Sequence, residues 1–277
     1  YGRGSVDTKA TLAVVLQLLE RQVGDLTANL VLIGTVAEEA GGLLGAYRLR
    51  EWSQARDVRF DQMIVAEPTS CVPVHGHKGG VGLEITVIGE AAHSSKPELG
   101  RNAIEGAARI IGAFRAEHEL LVAQVPATSV GNGTLSVTQI EGGLARNIIP
   151  DRCTLYAGRR IAPGEDPEAE FDRLRKVAAE AAAPLPIEVV MTNGRCSPAF
   201  YQPADSPLVT ELGRLAGAGA ATAGYGSNAL VYGEIADEIV VFGPGSIDQA
   251  HKAVEWIDTS ELARACAIYH DLLIGRP

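Results

Sequence analysis

The sequence predicts an α/β chain interrupted by a smaller α+β domain, and three observations carry that prediction. Near-continuous apolar runs at 29–37 ("NLVLIGTVA") and 61–69 ("DQMIVAEPT") alternate with helical stretches. That is the pattern of strands buried on both faces of a largely parallel sheet. From about 76 to 193 the strands switch to period-two alternation, and with two helices they run in the order β-α-β-β-α-β of a ferredoxin-like unit. Beyond 206 the first pattern returns, so the chain divides into 1–75 with 194–277, and an insert at 76–193.

Each element has a local reason. "ATLAVVLQLLE" (10–20) is built of helix formers, and a second helix is expected at 43–56. The strand at 61–69 is stopped by Pro68. In "GVGLEITVIGE" (80–90), Leu83, Ile85 and Val87 share one face and Glu84, Thr86 and Ile88 the other. A helix at 102–121 follows, then the strands "TLSVTQIEGG" and "DRCTLYAGRRI". "DPEAEFDRLRKVAAEAA" opens on Asp-Pro, an N-cap followed by a first helical residue. "IEVVMTN" closes the insert. A helix at 206–216, the strand "EIVVFGPG" and a helix at 259–274 complete the chain, with no internal repeat or low-complexity tract.

Composition narrows the class. A chain of 277 residues with 46% apolar and 21% charged residues is that of an ordinary globular protein. At this length folding buries roughly 75% of the unfolded surface, so no staples are required. The formal charge of −10 argues against nucleic acid or an anionic membrane as partner. Cys71, Cys153, Cys196 and Cys266 are scattered without a C-x-x-C pair, which suits a reducing cytoplasm better than a disulfide scaffold or thiolate metal site. No apolar run reaches the roughly 18 residues of a membrane span.

Four acids and one histidine occupy comparable places. Glu38 and Glu39 follow the apolar run at 29–37, Glu67 follows the second run, His251 follows "EIVVFGPG", and Asp7 precedes the first helix. Ligands of open α/β sheets bind outside the carboxyl ends of the strands, so these residues are expected to converge. Two like charges about 4 Å apart repel by roughly 4 kcal/mol at an effective dielectric of 20. A divalent cation removes that conflict, and carboxylate with imidazole suits catalytic zinc, or cobalt or manganese in its place. Four carboxylates fit two metals sharing a bridging group better than one. Plainer roles compete: a Glu-Glu pair often lies on a solvated face, Glu67 before Pro68 could be a turn, and Asp7 could be a helix cap. Lys9 after glycines faintly suggests a phosphate loop, but no G-x-x-x-x-G-K-[ST] is present. His75 and His77 could contact substrate, with a surface loop the plainer reading, and His118 and His270 read as surface residues.

Six stretches together resemble one family. "YGRGSVDTKA" is similar to G-R-G-x-x-D-x-K-G, with Ala10 for the last glycine, and "TVAEEAG" to an acidic pair. "AEPTSCVPVHGHKG", "AAHSSKPELGRNAIE", "ARNIIPD" and "GPGSIDQAHKAVEW" follow in order. The chain thereby resembles, over essentially its whole length, the acetylornithine deacetylase, succinyl-diaminopimelate desuccinylase and aminoacylase family of two-zinc metallopeptidases, and most of all the acetylornithine deacetylase branch. The resemblance implies a zinc-exopeptidase-like catalytic domain with an inserted dimerisation or lid domain, acting as a cytoplasmic homodimer in arginine biosynthesis. It implies two zinc ions per subunit in the full-length protein and hydrolysis of a small N-acyl amino acid such as N-acetylornithine. Asp7 would bridge the metals, Glu39 and His251 would complete one site, and Glu67 would serve the other. Glu38 would be the general base, and His93 would reach a partner subunit's active site to stabilise the oxyanion. Asn147 and Arg160 match substrate-holding positions, and Gly226-Ser227-Asn228-Ala229 matches a substrate-side loop, with Asn228 where relatives carry an acid. The peptide Asp7–Thr8 is expected to be cis.

Two departures stand out. Gly158 occupies a place where many relatives have Asp, and the family's H-x-D motif has no counterpart in these residues. The resemblance implies that this motif precedes Tyr1. Rival readings are a desuccinylase, aminoacylase or dipeptidase of the same chemistry, and a truncated or metal-free protein that only binds.

Overall fold

The computed structural model describes residues 1–39 and 42–275; Ala40 and Gly41, the latter part of the glycine pair after Glu39, lie outside the described residues. In chain order the helices and strands are α1 (Lys9–Gln22), α2 (Leu44–Gln54), β1 (Phe60–Val65), β2 (Val74–His77), β3 (Gly79–Ile88), β4 (Ala92–His93), α3 (Ala103–Val122), β5 (Thr134–Gly142), β6 (Ile148–Ile149), β7 (Arg152–Ile161), α4 (Pro167–Ala182), β8 (Glu188–Ser197), β9 (Phe200–Tyr201), α5 (Pro207–Ala216), β10 (Ala221–Ala223), α6 (Ala229–Tyr232), β11 (Ala236–Val241) and α7 (Thr259–Leu273). The chain divides into two compact units, 1–77 with 200–277, and 78–199. No helix among the described residues is long and apolar enough to cross a membrane.

The first unit is built on a sheet of order β1-β11-β2-β10, with β9 on β2. β1 and β11 are parallel, as are β2 and β10, whereas β11 meets β2 antiparallel and β9 meets β2 antiparallel. The sheet is thus mixed rather than largely parallel. β11 shows why its sequence is continuously apolar. Val240 packs with Val14 and Val15 of α1, Leu208 and Leu212 of α5, and Ile268 of α7, while Ile239 and Val241 pack with Ala46 of α2 and Val231 and Tyr232 of α6. Both faces of the strand are covered, so alternation brings no polar residue.

The run 29–37 corrects an expectation, because it forms no strand among the described residues. Val31 and Val36 are 61% and 70% exposed. An apolar run becomes a strand only when a neighbour satisfies its backbone, and among the described residues β1 pairs with β11 alone. The carbonyls of Val36 and Ala37 instead accept the N–H groups of Gly45 and Leu43.

The second unit follows the expected β-α-β-β-α-β order, with sheet order β5-β7-β3-β8 and antiparallel pairing throughout. A short β4–β6 ladder, which alternation did not disclose, is added to it. α3 begins where Asn102 Oδ1 accepts the N–H groups of Ile104 and Glu105, and it buries Ala103, Ala107, Ile110, Phe114 and Leu121 along one stripe. α4 begins where Asp166 accepts from Glu168 and Ala169, with Pro167 at its first turn. Gly106 marks a close approach of α3 to the sheet, since a Cβ there would crowd Ile187 Cδ1 and lie 2.9 Å from Val87 Cγ1. Arg159, only 1% exposed, pairs with Glu165 at 2.6 Å and Glu170 at 3.0 Å, tying β7 to α4 and the turn before it. Strand alternation then puts its neighbour Arg160 on the exposed side.

Ile110 sits at the centre of this core with no exposure. Ile110→Ala is expected to cost about 2–5 kcal/mol, read as a lowered urea midpoint at unchanged slope.

Candidate metal centre

Three sequence-distant residues meet in the first unit. Asp7 stands in the turn before α1, Glu39 in the loop before α2, and His251 in the loop after β11. His251 Nε2 lies 2.7 Å from Glu39 Oε2 and 3.4 Å from Asp7 Oδ2. One ligand atom from each residue falls within 4.8 Å of the others. They line an open cleft of about 400 Å³ together with Arg3 and Glu255. His251 holds a left-handed backbone, φ 59°, uncommon for a residue with a Cβ. The Asp7–Thr8 peptide is cis, as expected.

Glu38 and Glu67 surround this trio. Burial, then the charges of Glu39 and Asp7, push the Glu38 carboxyl up to about 6. Glu67, 7% exposed and just beyond β1, is pushed up to about 9 by burial and then by Asp7, Glu38 and Glu39. Asp7 is raised to about 6 by burial and by Glu39, with His251 opposing. The Tyr225 phenol, raised to about 12 by burial and then by Glu67 and Asp7, belongs to the same electrostatic neighbourhood and was not singled out in the sequence. All three carboxyl groups are thus short of compensating positive charge. Two carboxylates and an imidazole within ligand distance, without a thiolate, form a donor set that fits a divalent cation of the zinc, cobalt or manganese type.

The turn that carries Asp7 is held by a residue that sequence reasoning missed. Glu255 is 3% exposed, and its carboxylate accepts the backbone N–H groups of Gly4 at 3.0 Å, Val6 at 3.0 Å and Asp7 at 3.1 Å. Arg3 pairs with it at 3.1 Å. Burial works to raise its pKa, but those backbone bonds and Arg3 outweigh it and hold the group below the usual carboxylate range. The available signal was one acid inside the apolar stretch Val254-Glu255-Trp256-Ile257.

Other expected residues fall in different settings. Ser227, 1% exposed, meets His77 Nε2 at 2.9 Å through its hydroxyl. Asn228, 9% exposed, donates its amide to Thr35 Oγ1 at 3.1 Å, while its Oδ1 has no hydrogen-bond partner among the described residues. His77 and His75 are not surface-loop residues. Both are buried in β2, and His75 Nδ1 lies 2.6 Å from the Gln202 carbonyl. The His75 ring lies 5.5 Å from that of Tyr201 and the His77 ring 5.2 Å from that of Phe200, so β9 side chains pack against both rings.

His93, Asn147 and Arg160 belong to the second unit. His93 is exposed, its Nδ1 2.7 Å from the Ser95 hydroxyl, and it pairs with Ile148 across the β4–β6 ladder. Ser94 N–H donates to the Asn147 carbonyl at 2.9 Å, so Asn147 lies beside the His93 strand. Arg160 is exposed on β7, opposite Gly80 and Thr134.

Known proteins share both sequence and fold. Residues 75–186 match the peptidase dimerisation domain of the M20 peptidases. An acetylornithine deacetylase of Myxococcus xanthus is 34% identical over 97% of this chain and 70% of its own. One from Aliivibrio fischeri is 31% identical over 99% of this chain and 72% of its own. Among solved structures, the aminopeptidase PepT of Bacillus cereus superposes with a TM-score of 0.74 at 22% identity, covering 97% of this chain and 70% of that one. A dinuclear metal-binding peptidase of the M20 family from Bacillus subtilis gives 0.68 at 17% identity, covering 95% and 69%.

The raised carboxyl groups imply a pH dependence with a definite sign. A carboxyl whose native pKa lies above its unfolded value contributes stability in full below the unfolded pKa and loses it as pH rises through the native pKa. In chelator, unfolding midpoints are therefore expected to fall from pH 3.8 through Asp7 and from pH 4.5 through Glu38 up to about 6, and on toward about 9 through Glu67. Added cobalt or zinc should flatten the slope, and a flat profile in chelator would contradict the charge argument.

Proposed function

The chain belongs to the M20 peptidase and acetylornithine deacetylase family, and from that premise we propose that it is a metal-dependent hydrolase that cleaves the amide bond of a small N-acyl amino acid. N-acetylornithine, yielding ornithine and acetate, is the substrate favoured by likeness over nearly the whole chain. The observation that carries the reading is the meeting of Asp7, Glu39 and His251 from three separate motifs. Zinc is the proposed metal, two ions per subunit, with cobalt or manganese as substitutes. Asp7 is proposed as the shared ligand, Glu39 and His251 as the remainder of one site, and Glu67 as a ligand of the other.

When bound, the metal supplies Lewis acidity to the scissile carbonyl and to the attacking water. Glu38 receives the proton of that water and returns it to the leaving amine. A carboxyl drawn up toward neutrality suits both halves of that task. Arg160 offers a bidentate donor pair to the substrate carboxylate. Asn147 lies next to the strand of His93, and Asn228 belongs to the proposed substrate-side loop. Ser227 secures the substrate-side loop through His77.

The unit 1–75 with 194–277 is read as catalytic and 76–193 as the dimerisation and lid domain, a reading supported by the match to a peptidase dimerisation domain. In a homodimer built through that domain, His93 serves the partner's active site and donates to the tetrahedral oxyanion. Cys71, Cys153, Cys196 and Cys266 are all free thiols, in keeping with action in the cytoplasm.

Glu38→Gln is expected to keep its metal, measured by elemental analysis, and to lose at least about 10²–10⁴-fold in kcat on N-acetylornithine. Unchanged turnover would remove Glu38 from the mechanism. A panel of N-acetyl, N-succinyl and dipeptide substrates should favour N-acetylornithine by kcat/KM. His93→Ala should lose turnover yet bind metal normally, and mixing it with Glu38→Gln should restore activity through heterodimers. Failure of every mixture to regain activity would count against a site shared between subunits.

A further inference from the structure

We infer that Glu255 is the positioning residue that holds Asp7 in register for metal, an inference that rests on the metal site proposed above. Its two carboxylate oxygens divide four donors between them. Oε1 takes the N–H groups of Val6 and Asp7, and Oε2 takes the Gly4 N–H and the Arg3 guanidinium. The bond to the Asp7 N–H fixes the backbone of the ligand itself. The Gly2 N–H donates to the Glu255 carbonyl at 2.9 Å, and Lys9 Nζ closes the turn from within on the Arg3 carbonyl at 3.1 Å.

Apolar packing leaves the turn no room to shift. Val6 is 1% exposed, and a Cβ on Gly245 would crowd the Val6 Cγ2 and lie 3.1 Å from Ile257 Cδ1. The same short segment carries His251 at one end and Glu255 at the other. One loop therefore supplies a ligand directly and orients a second through the backbone, which couples the 3.4 Å separation of His251 and Asp7 to a single piece of chain. A buried carboxylate saturated by backbone donors next to a ligand is how an outer shell fixes ligand direction.

Glu255→Gln tests this. The amide nitrogen must face either the Val6 and Asp7 donors or the Gly4 and Arg3 donors, so the turn loses one side of its clamp. Cobalt affinity, titrated by calorimetry and by the visible absorption of bound cobalt, is expected to weaken about 10–100-fold with shifted absorption bands. Affinity and bands equal to those of the unmodified protein would overturn the inference alone. An unmodified protein that takes up no cobalt would overturn the metal reading and this inference with it. A second measurement needs no variant. In chelator, the amides of Gly4, Val6 and Asp7 in the unmodified protein are expected to exchange as slowly as those within α1. Free exchange at these amides until cobalt is added would show that metal rather than Glu255 orders the turn, and would overturn the inference.

Discussion

The first unit is organised around a concentration of negative charge that its own side chains do not neutralise. Asp7, Glu38, Glu39 and Glu67 act on one another, and His251 is the counter-charge opposing them at Asp7 and Glu38. Such an arrangement is costly in a folded chain, because burial and like charge both favour the protonated acid. Glu67 follows β1 and His251 follows β11, two strands paired in one sheet, while Asp7 comes from the turn before α1 and Glu38 and Glu39 from the loop before α2. A bound divalent cation turns that cost into affinity, which is why the cluster reads as a site rather than as surface.

Two buried carboxylates of this unit are treated in opposite ways. Glu67 has other acids as its charged neighbours, and its pKa rises. Glu255 receives three backbone N–H groups and a guanidinium, and its pKa falls. Glu255 stays ionised and holds a turn together through its charge, whereas burial and the neighbouring acids favour the protonated form of Glu67.

The second unit solves a different problem. Its antiparallel sheet covers one face with α3 and α4 and leaves the other available. Arg159 looks misplaced in an inward-facing position, yet Glu165 and Glu170 satisfy it and it joins strand to helix. A buried cation with one partner missing would destabilise the unit strongly. The same alternation that buries Arg159 exposes Arg160, so one residue secures the strand while its neighbour faces outward.

Periodicity and capping made most of this fold legible before any coordinates. The stripe of α3, the Asp166-Pro167 start of α4, the alternation of β3 and the two-sided apolar strand β11 are local patterns that a backbone must answer locally. The order of motifs likewise pointed to Asp7, Glu39 and His251. Tertiary structure alone decided that 29–37 has no ladder among the described residues, since pairing depends on a neighbour and not on the run itself. It alone buried His75 and His77, and it alone brought Glu255 to the turn at Gly4–Asp7, some 250 positions away in the chain. The physical reason is range: side-chain pattern records which face is dry, whereas a carboxylate accepting a distant N–H leaves no periodic trace in either segment.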